Sequence, residues 1–226
     1  MIRLLKRKSI IKPTVYYGPK ENGHVGLMDP LVSLTKSMKD LLVDDSFLDC
    51  VGTREFMKGA WVIKSPYPIA ITESGRVFNM QNNQQVGGIV GDKTKYAQYL
   101  AGHVTFFAND TVNMTAYPPF LHKPEVQGIA GTYDINKWLR PLSYAHNVGY
   151  GREVQIDRGE PVCYVKFDRP VKLKKVTFPA SLDGVFEIAL HYKDHVEHTS
   201  LKDLYRMFTS GNLSKVVVRK LEEYNK

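Results

Sequence analysis

Ile156-Asp157-Arg158-Gly159-Glu160-Pro161-Val162-Cys163-Tyr164-Val165-Lys166-Phe167 is the stretch on which the fold class turns. Gly159 permits a positive φ in a tight turn, and Pro161, which has no N–H to give to a ladder, suits the first residue of a strand. Beyond it Val162, Tyr164 and Lys166 alternate with Cys163, Val165 and Phe167, the two-residue period of a strand that shows a different face to each side. The stretch therefore predicts a turn at Arg158-Gly159-Glu160 followed by a returning strand.

Six further short β-rich runs share this texture and are separated by Pro, Gly and Asn: Trp61 to Ile63, Ile69 to Thr72, His103 to Phe107, Thr111 to Ala116, Glu153 to Ile156 and Val171 to Phe178. Such punctuation predicts an α+β chain whose residues 61–178 form a mainly antiparallel β-sandwich or β-clip core, jelly-roll-like in outline. Within it, Glu73-Ser74-Gly75-Arg76 reads as a hairpin turn, and Asn79 to Asp92, rich in Gln, Asn and Gly, reads as a long flexible loop.

Outside the core the period lengthens. Residues 1–60 are expected to hold an arm and helices. Ile10 to Pro19 mixes β-formers with two prolines, which suits an extended arm or an edge strand better than a central one. Asp29-Pro30 opens a helical pattern carrying Leu31, Leu34, Met38, Leu41 and Leu42, and a second helix is expected from Ser46 to Lys58, stopped by Gly59. Residues 179–226 are expected to add C-terminal helices packed on the core, one with Leu201, Leu204, Tyr205 and Phe208 and one with Leu213, Val217, Leu221 and Tyr224. The whole reads as one structural domain, a size that 226 residues at 43% hydrophobic composition can supply with a full core.

The two cysteines, Cys50 and Cys163, have no CxxC partner and read as buried thiols of an intracellular chain. No apolar run approaches the roughly 18 residues that a membrane span needs, so neither a transmembrane nor a secreted protein is expected. The net charge of +8 would attract a polyanion, yet it is dispersed: six Lys/Arg lie in residues 1–28, five in 164–175 and six in the last 27. Lys166, Lys172 and Lys174 form the basic surface this predicts, with a nucleic acid or nucleotide as its conceivable partner.

Several groupings bear on chemistry. His103-Val104-Thr105 and His198-Thr199-Ser200 have the His-x-Thr/Ser form of two-histidine phosphoesterases, but His198 precedes a helix cap rather than lying on a strand. His191, His195 and His198 have the spacing of one helical face and are weak metal ligands, since no further thiolate or carboxylate motif accompanies them. His103, Asp134 and His146 would have to converge in one cleft to act as catalysts. No metal and no cofactor is expected. The stretch Tyr117-Pro118-Pro119-Phe120-Leu121-His122-Lys123-Pro124 reads as a stiff aromatic loop, and Tyr117, Phe120, Trp138, Arg140 and Tyr144 are expected to line one binding depression.

Two segments carry a resemblance: Cys50 to Pro66, with its Trp61-Val62-Ile63-Lys64-Ser65-Pro66 strand, and Gly131 to Pro141 leading to Arg158-Gly159-Glu160-Pro161 and Val162 to Phe167. Together they resemble a family of uncharacterised proteins of large tailed bacteriophages, over roughly residues 48–222. More distantly, Gly128 to Tyr133 and Ile156 to Val162 are similar to the β-clip fold of dUTPases and dCTP deaminases. The likeness is to architecture alone. Gly131 stands where a dUTPase needs its water-orienting Asp, and the Pro-Arg-Ser-Gly phosphate turn is missing. The resemblance implies a phage accessory or virion-associated protein, in the host cytoplasm or the virion, that binds a host or phage protein through the loops of a β scaffold; no membrane partner is expected. The rival expectation is an enzyme or sponge acting on nucleotides or phosphodiesters.

Overall fold

The computed structural model of the chain describes residues 12–21, 29–41, 49–72, 74–89, 96–99, 104–122, 128, 130–142, 144–147, 153–187, 201–210 and 212–226. They form an α+β protein with three mostly antiparallel sheets and few, short helices. The first sheet has the order β14 (Lys172–Lys175), β1 (Thr14–Gly18), β8 (Thr105–Ala108). The second runs β10 (Gly131–Asp134), β9 (Asn113–Tyr117), β13 (Pro161–Phe167), β3 (Ala60–Lys64), β2 (Val32–Ser33). The third runs β11 (Tyr144–Asn147), β7 (Tyr96–Tyr99), β6 (Gln84–Ile89), β5 (Val77–Asn79), β4 (Ile69–Ile71), β12 (Val154–Ile156). Among these pairings β1 with β14 alone is parallel.

Side-chain alternation sorts the first two sheets into inner and outer faces. Val15 and Tyr17 of β1, Phe106 and Ala108 of β8, Trp61 and Ile63 of β3, Met114 and Ala116 of β9, and Val165 and Phe167 of β13 pack in one central cluster. Their intervening neighbours point outward to two other clusters. Tyr16 and Phe107 meet α3 (Leu201–Ser210) and α4 (Leu213–Tyr224) through Phe208, Val217 and Leu221. Ala60, Val62 and Tyr164 meet α1 (Leu34–Leu41) and α2 (Val51–Met57) through Leu34, Met38 and Met57. Both faces of β13 are thus covered by apolar groups, which is why its sequence is a nearly continuous apolar run. The third sheet adds Ile69, Ile71, Val77 and Ile156 to the central cluster.

The N-terminal part departs from expectation. It is no helical segment before the β core. It opens with β1, and its two helices, of 8 and 7 residues, lie between the β2 and β3 strands of a sheet. The apolar pattern from Leu31 onward is shared: Leu31 packs on the central cluster, Val32 and Ser33 pair with β3, and only from Leu34 does the helix begin. Nor is β1 an arm or an edge. It is the middle strand of its sheet, with Val15 fully buried. Its two prolines frame the strand without interrupting it. Pro13 and Pro19 need give no N–H, while their carbonyls accept from Lys172 N (2.8 Å) and Phe178 N (2.9 Å).

Two loops also differ. The polar stretch expected to be a flexible loop from Asn79 holds strand β6, paired with β5 and β7. The tip between β5 and β6 is built from side-chain amides, with Gln81 N donating to Asn79 Oδ1 (2.9 Å), Gln84 N donating to Asn82 Oδ1 (3.1 Å), and Asn83 at φ 54°. These short polar side chains bond their own backbone, so the hairpin forms without an apolar period to announce it. The turn at Arg158-Gly159-Glu160 is present, with Gly159 at φ 85°. It joins no hairpin, however, because β12 pairs with β4 in the third sheet and β13 with β3 and β9 in the second.

Two of the chain's passages between the second and third sheets, at Ser65–Pro68 and at Asp157–Glu160, hold each other. Ser65 N donates to Glu160 O and Gly159 N to Ser65 O, both at 2.8 Å. Ser65 Oγ donates to Tyr67 O at 2.6 Å, and Asp157 N to Glu160 Oε2 at 2.7 Å. This clasp fixes the lower rim of the candidate site.

Candidate functional site

Where the second sheet ends against α1, four elements bring polar side chains together. Ser37 comes from α1, Lys64 from the last position of β3, Tyr164 from β13, and His122 from the turn that follows β9. Pro118 and Pro119 end β9, and the chain then turns back, His122 N donating to Pro119 O at 2.9 Å. That turn places the His122 ring edge-on to Tyr164, with centroids 5.6 Å apart. A cavity of about 340 Å³ opens here, with Val32 and Pro161 as its apolar lining and Lys36, Ser37, Asp40, Lys64, His122 and Glu160 as its polar lining.

The hydrogen order in this group follows from counting donors. Tyr164 is buried, and burial raises its phenol well above the ordinary range against the opposing effect of the Leu121 and His122 main-chain N–H groups. Its oxygen accepts from His122 N at 3.2 Å and lies against His122 Nδ1. With main-chain donors filling the phenol lone pairs, the phenol proton has His122 Nδ1 as its acceptor. Nε2 is then assigned the imidazole hydrogen, the tautomer that gives the phenol proton and the ring N–H an acceptor each. It lies 3.0 Å from Ser37 Oγ, and the Ser37 main chain also bonds the ring. Burial first, and then the nearby Lys64 ammonium, hold the imidazole below its ordinary pKa, so it is neutral at pH 7.

This order runs opposite to that of a nucleophilic serine. A general base needs a bare nitrogen toward the hydroxyl and an acceptor behind the ring; here the nitrogen toward Ser37 holds hydrogen and the phenol behind donates. Ser37 Oγ thus receives a hydrogen bond, and no other described residue accepts its proton. The hydroxyl proton is free to serve what enters the cavity.

Aromatic packing extends the site. Phe56 lies edge-on to Tyr117 at 5.5 Å and tilted to Phe120 at 5.4 Å, and Phe120 meets Tyr164 edge-on at 5.6 Å. Phe120 remains 42% exposed beside the cavity.

The residues expected to share one depression are therefore divided. Tyr117 and Phe120 join the His122 group, whereas Trp138 packs on the cluster under α3 and α4, beside Tyr133 (5.0 Å), with the Arg140 guanidinium over its ring at 4.7 Å. Tyr144 and His146 lie on β11, where the backbone alone is described, and His103, His191, His195 and His198 lie outside the described residues. Asp134 is buried, accepting from Asn136 N (3.2 Å) and pairing with Lys137 (3.0 Å), a loop-building role. Lys166 is no free cation: its Nζ donates to Glu55 O (3.0 Å) and Phe56 O (2.8 Å), capping the end of α2. Lys172 is exposed on the edge strand β14, and Lys174 lies 5.9 Å over the Tyr16 ring. Charged side chains on an open edge oppose pairing with other chains, which accounts for this basic strand.

Of the two thiols, Cys163 is buried and pushed up to about 12 by burial, but Cys50 is exposed, because it precedes α2 on the solvent side. Among the described residues no three His, Cys, Asp or Glu are placed to hold a metal ion, and no helix is long and apolar enough to cross a membrane.

A second cavity, of about 440 Å³, lies between α4 and the loops after β8 and β10. Its polar groups are largely engaged already: Ser214 Oγ donates to Asn136 O, Glu222 accepts from Tyr16 OH, and Lys137 pairs with Asp134.

Sequence reasoning passed over Ser37, Lys64, His122 and Tyr164 as a group. No spacing announces them, since Ser37 and His122 are 85 residues apart and His122 and Tyr164 are 42 apart. Compared with family models, with curated proteins and with solved structures, the chain matches none.

Proposed function

We propose that this chain is a binding protein rather than an enzyme, with a β-sandwich core as scaffold and the Phe120–His122 turn, the α1 face and the Ser65/Gly159 clasp as its contact surface. What supports this reading is the hydrogen order at His122. Tyr164 donates to Nδ1, Nε2 donates to Ser37, and the one Ser–His pair in a cavity among the described residues therefore has its proton where a nucleophile needs a lone pair. What remains useful there is a set of fixed donors beside an exposed aromatic ring, the composition of a recognition site.

The source we propose, a large tailed bacteriophage, rests on the resemblance of residues 48–222 alone, and with it a place in the host cytoplasm or the virion and a host or phage protein as partner. The β-clip likeness has the same standing.

Reaction with a fluorophosphonate probe and with p-nitrophenyl acetate tests the central point. No labelling of Ser37 and no ester turnover are expected. Labelling at Ser37 that His122→Ala abolishes would show that the base is competent, and the reading of the cavity as a binding site would fall.

A further inference from the structure

We infer that the cavity between α1, the end of β3 and the His122 turn binds a small oxyanion, a carboxylate or phosphate group, through Ser37 Oγ–H and the ammonium of Lys64; this rests on the reading of that cavity as a binding site. His122 Nε2–H spends itself on Ser37, so the Ser37 hydroxyl acts as donor toward the cavity it lines. Lys64 ends β3 at the same wall, half-buried, and no carboxylate lies within ion-pair distance of it among the described residues.

Two carboxylates, Asp40 and Glu160, also line the cavity. Glu160 has its Oε2 turned back to Asp157 N at 2.7 Å, inside the clasp, and Asp40 is exposed toward the end of α1. Lys36, one turn-step from Asp40 on the same helix, is exposed and adds a second cation. Beside these carboxylates the lining offers a hydroxyl proton and an ammonium, held by a helix, a strand end and a ring that is itself fixed from behind by Tyr164. A charge-assisted hydrogen bond from such donors favours a ligand that brings only acceptors. Val32 and Pro161 give the cavity an apolar wall, so the anionic group would sit at the end of an aliphatic or small aromatic body.

The test uses the whole chain, ¹⁵N-labelled, titrated separately with inorganic phosphate, acetate and methylammonium while the amide signals of Ser37, His122 and Gly159 are followed. Saturable shifts are expected with phosphate, acetate or both, and none with methylammonium; the stronger of the two anions identifies the group. Lys64→Gln should weaken binding by about tenfold or more, and Ser37→Ala by several-fold, as loss of a hydrogen bond to a charged group implies. Each variant is checked first for an otherwise unchanged spectrum, and Lys36→Gln serves as a second variant if Lys64→Gln fails to fold. Saturable methylammonium binding would overturn the oxyanion assignment and leave the cavity a binding site. Anion shifts that Lys64→Gln and Lys36→Gln both leave unchanged would overturn it too. No saturable response to any probe would remove both the assignment and the reading beneath it.

Discussion

The chain covers the outer faces of two sheets with helices, and the two coverings differ in kind. Over β1 and β8, α3 and α4 bury Phe107, Phe208, Val217 and Leu221 to zero exposure, with Phe178 and Phe186 filling the remaining space. Over β3 and β13, α1 and α2 bury a smaller set, Leu34, Met38, Met57, Ala60 and Val62, and the large residue among them is Tyr164, whose hydroxyl reaches a polar group at the edge. The first face is sealed by rings and aliphatic side chains packed on rings, and the cavity beside α4 has its polar groups largely turned to partners within the chain. The second is sealed over most of its area and left unfinished at one corner. A site needs such a corner, because a ligand requires polar groups to spare as well as room.

The comparison breaks most readily on the sealed side. Phe208→Ala should cost about 3–5 kcal/mol, the range for deleting a large buried ring that its neighbours cannot replace. Urea denaturation at pH 7 measures it, and a cost under about 1 kcal/mol would mean that α3 is not fixed to the sheet by this ring.

On the open side the sharper change is Tyr164→Phe, which keeps the ring and removes the hydroxyl. It strips His122 Nδ1 and two main-chain N–H groups of their partner, so a loss of about 1–3 kcal/mol is expected. A neutral result by the same denaturation would show that water replaces the phenol. The ring packing would then be what matters there.

The smallest effect is a pH dependence confined to the open side. The folded His122 binds its proton less readily than the ordinary value of 6.5, because of burial and then Lys64. Both states hold a neutral imidazole well above that value, so the group contributes nothing there. As pH falls through 6.5 the unfolded chain takes up the proton first and stability declines, until the folded imidazole also titrates. Around the ring stand Tyr164 from β13, Lys64 from β3, Lys36 and Asp40 from α1, and Glu160 from the clasp, of which Lys64 opposes the charged form. His122→Gln should flatten that part of the stability curve between pH 7 and 5; an unchanged slope would assign it to other groups.

Legibility followed the same division. All seven runs read as β from their residues hold a strand, because each alternates apolar groups toward the central cluster. The C-terminal helices were equally open to reading, since Val217 and Leu221 repeat at helical spacing over a sealed face. Strands β2, β5, β6, β7, β10 and β11 fall outside those runs, and β1 reads as an arm or an edge. β6 is Gln, Val, Gly and Ile, with Val86 packed against the central cluster, and β1 lies between prolines that mimic an edge. The site was legible only in fragments. The Tyr117–Pro124 stretch drew notice for its rings, while His122 within it did not, and Ser37 looked like one polar position on an amphipathic helix. Their meeting depends on which strand lies beside which, a matter of topology that residue spacing does not encode.

The placement of β1 has a consequence in time. Thr14 pairs with Lys172, a residue made 158 positions later (172 less 14), and its other neighbour is β8. A ribosome adding ~5–20 residues per second needs roughly 8 to 30 seconds to cover that distance. Until residue 108 is made, Val15, Tyr16 and Tyr17, all buried in the finished protein, have neither neighbouring strand, and until residue 172 they have β8 alone. The sheet around β1 is therefore completed late, and a nascent chain halted before residue 105 would present these three side chains to whatever chaperone or neighbouring chain it meets.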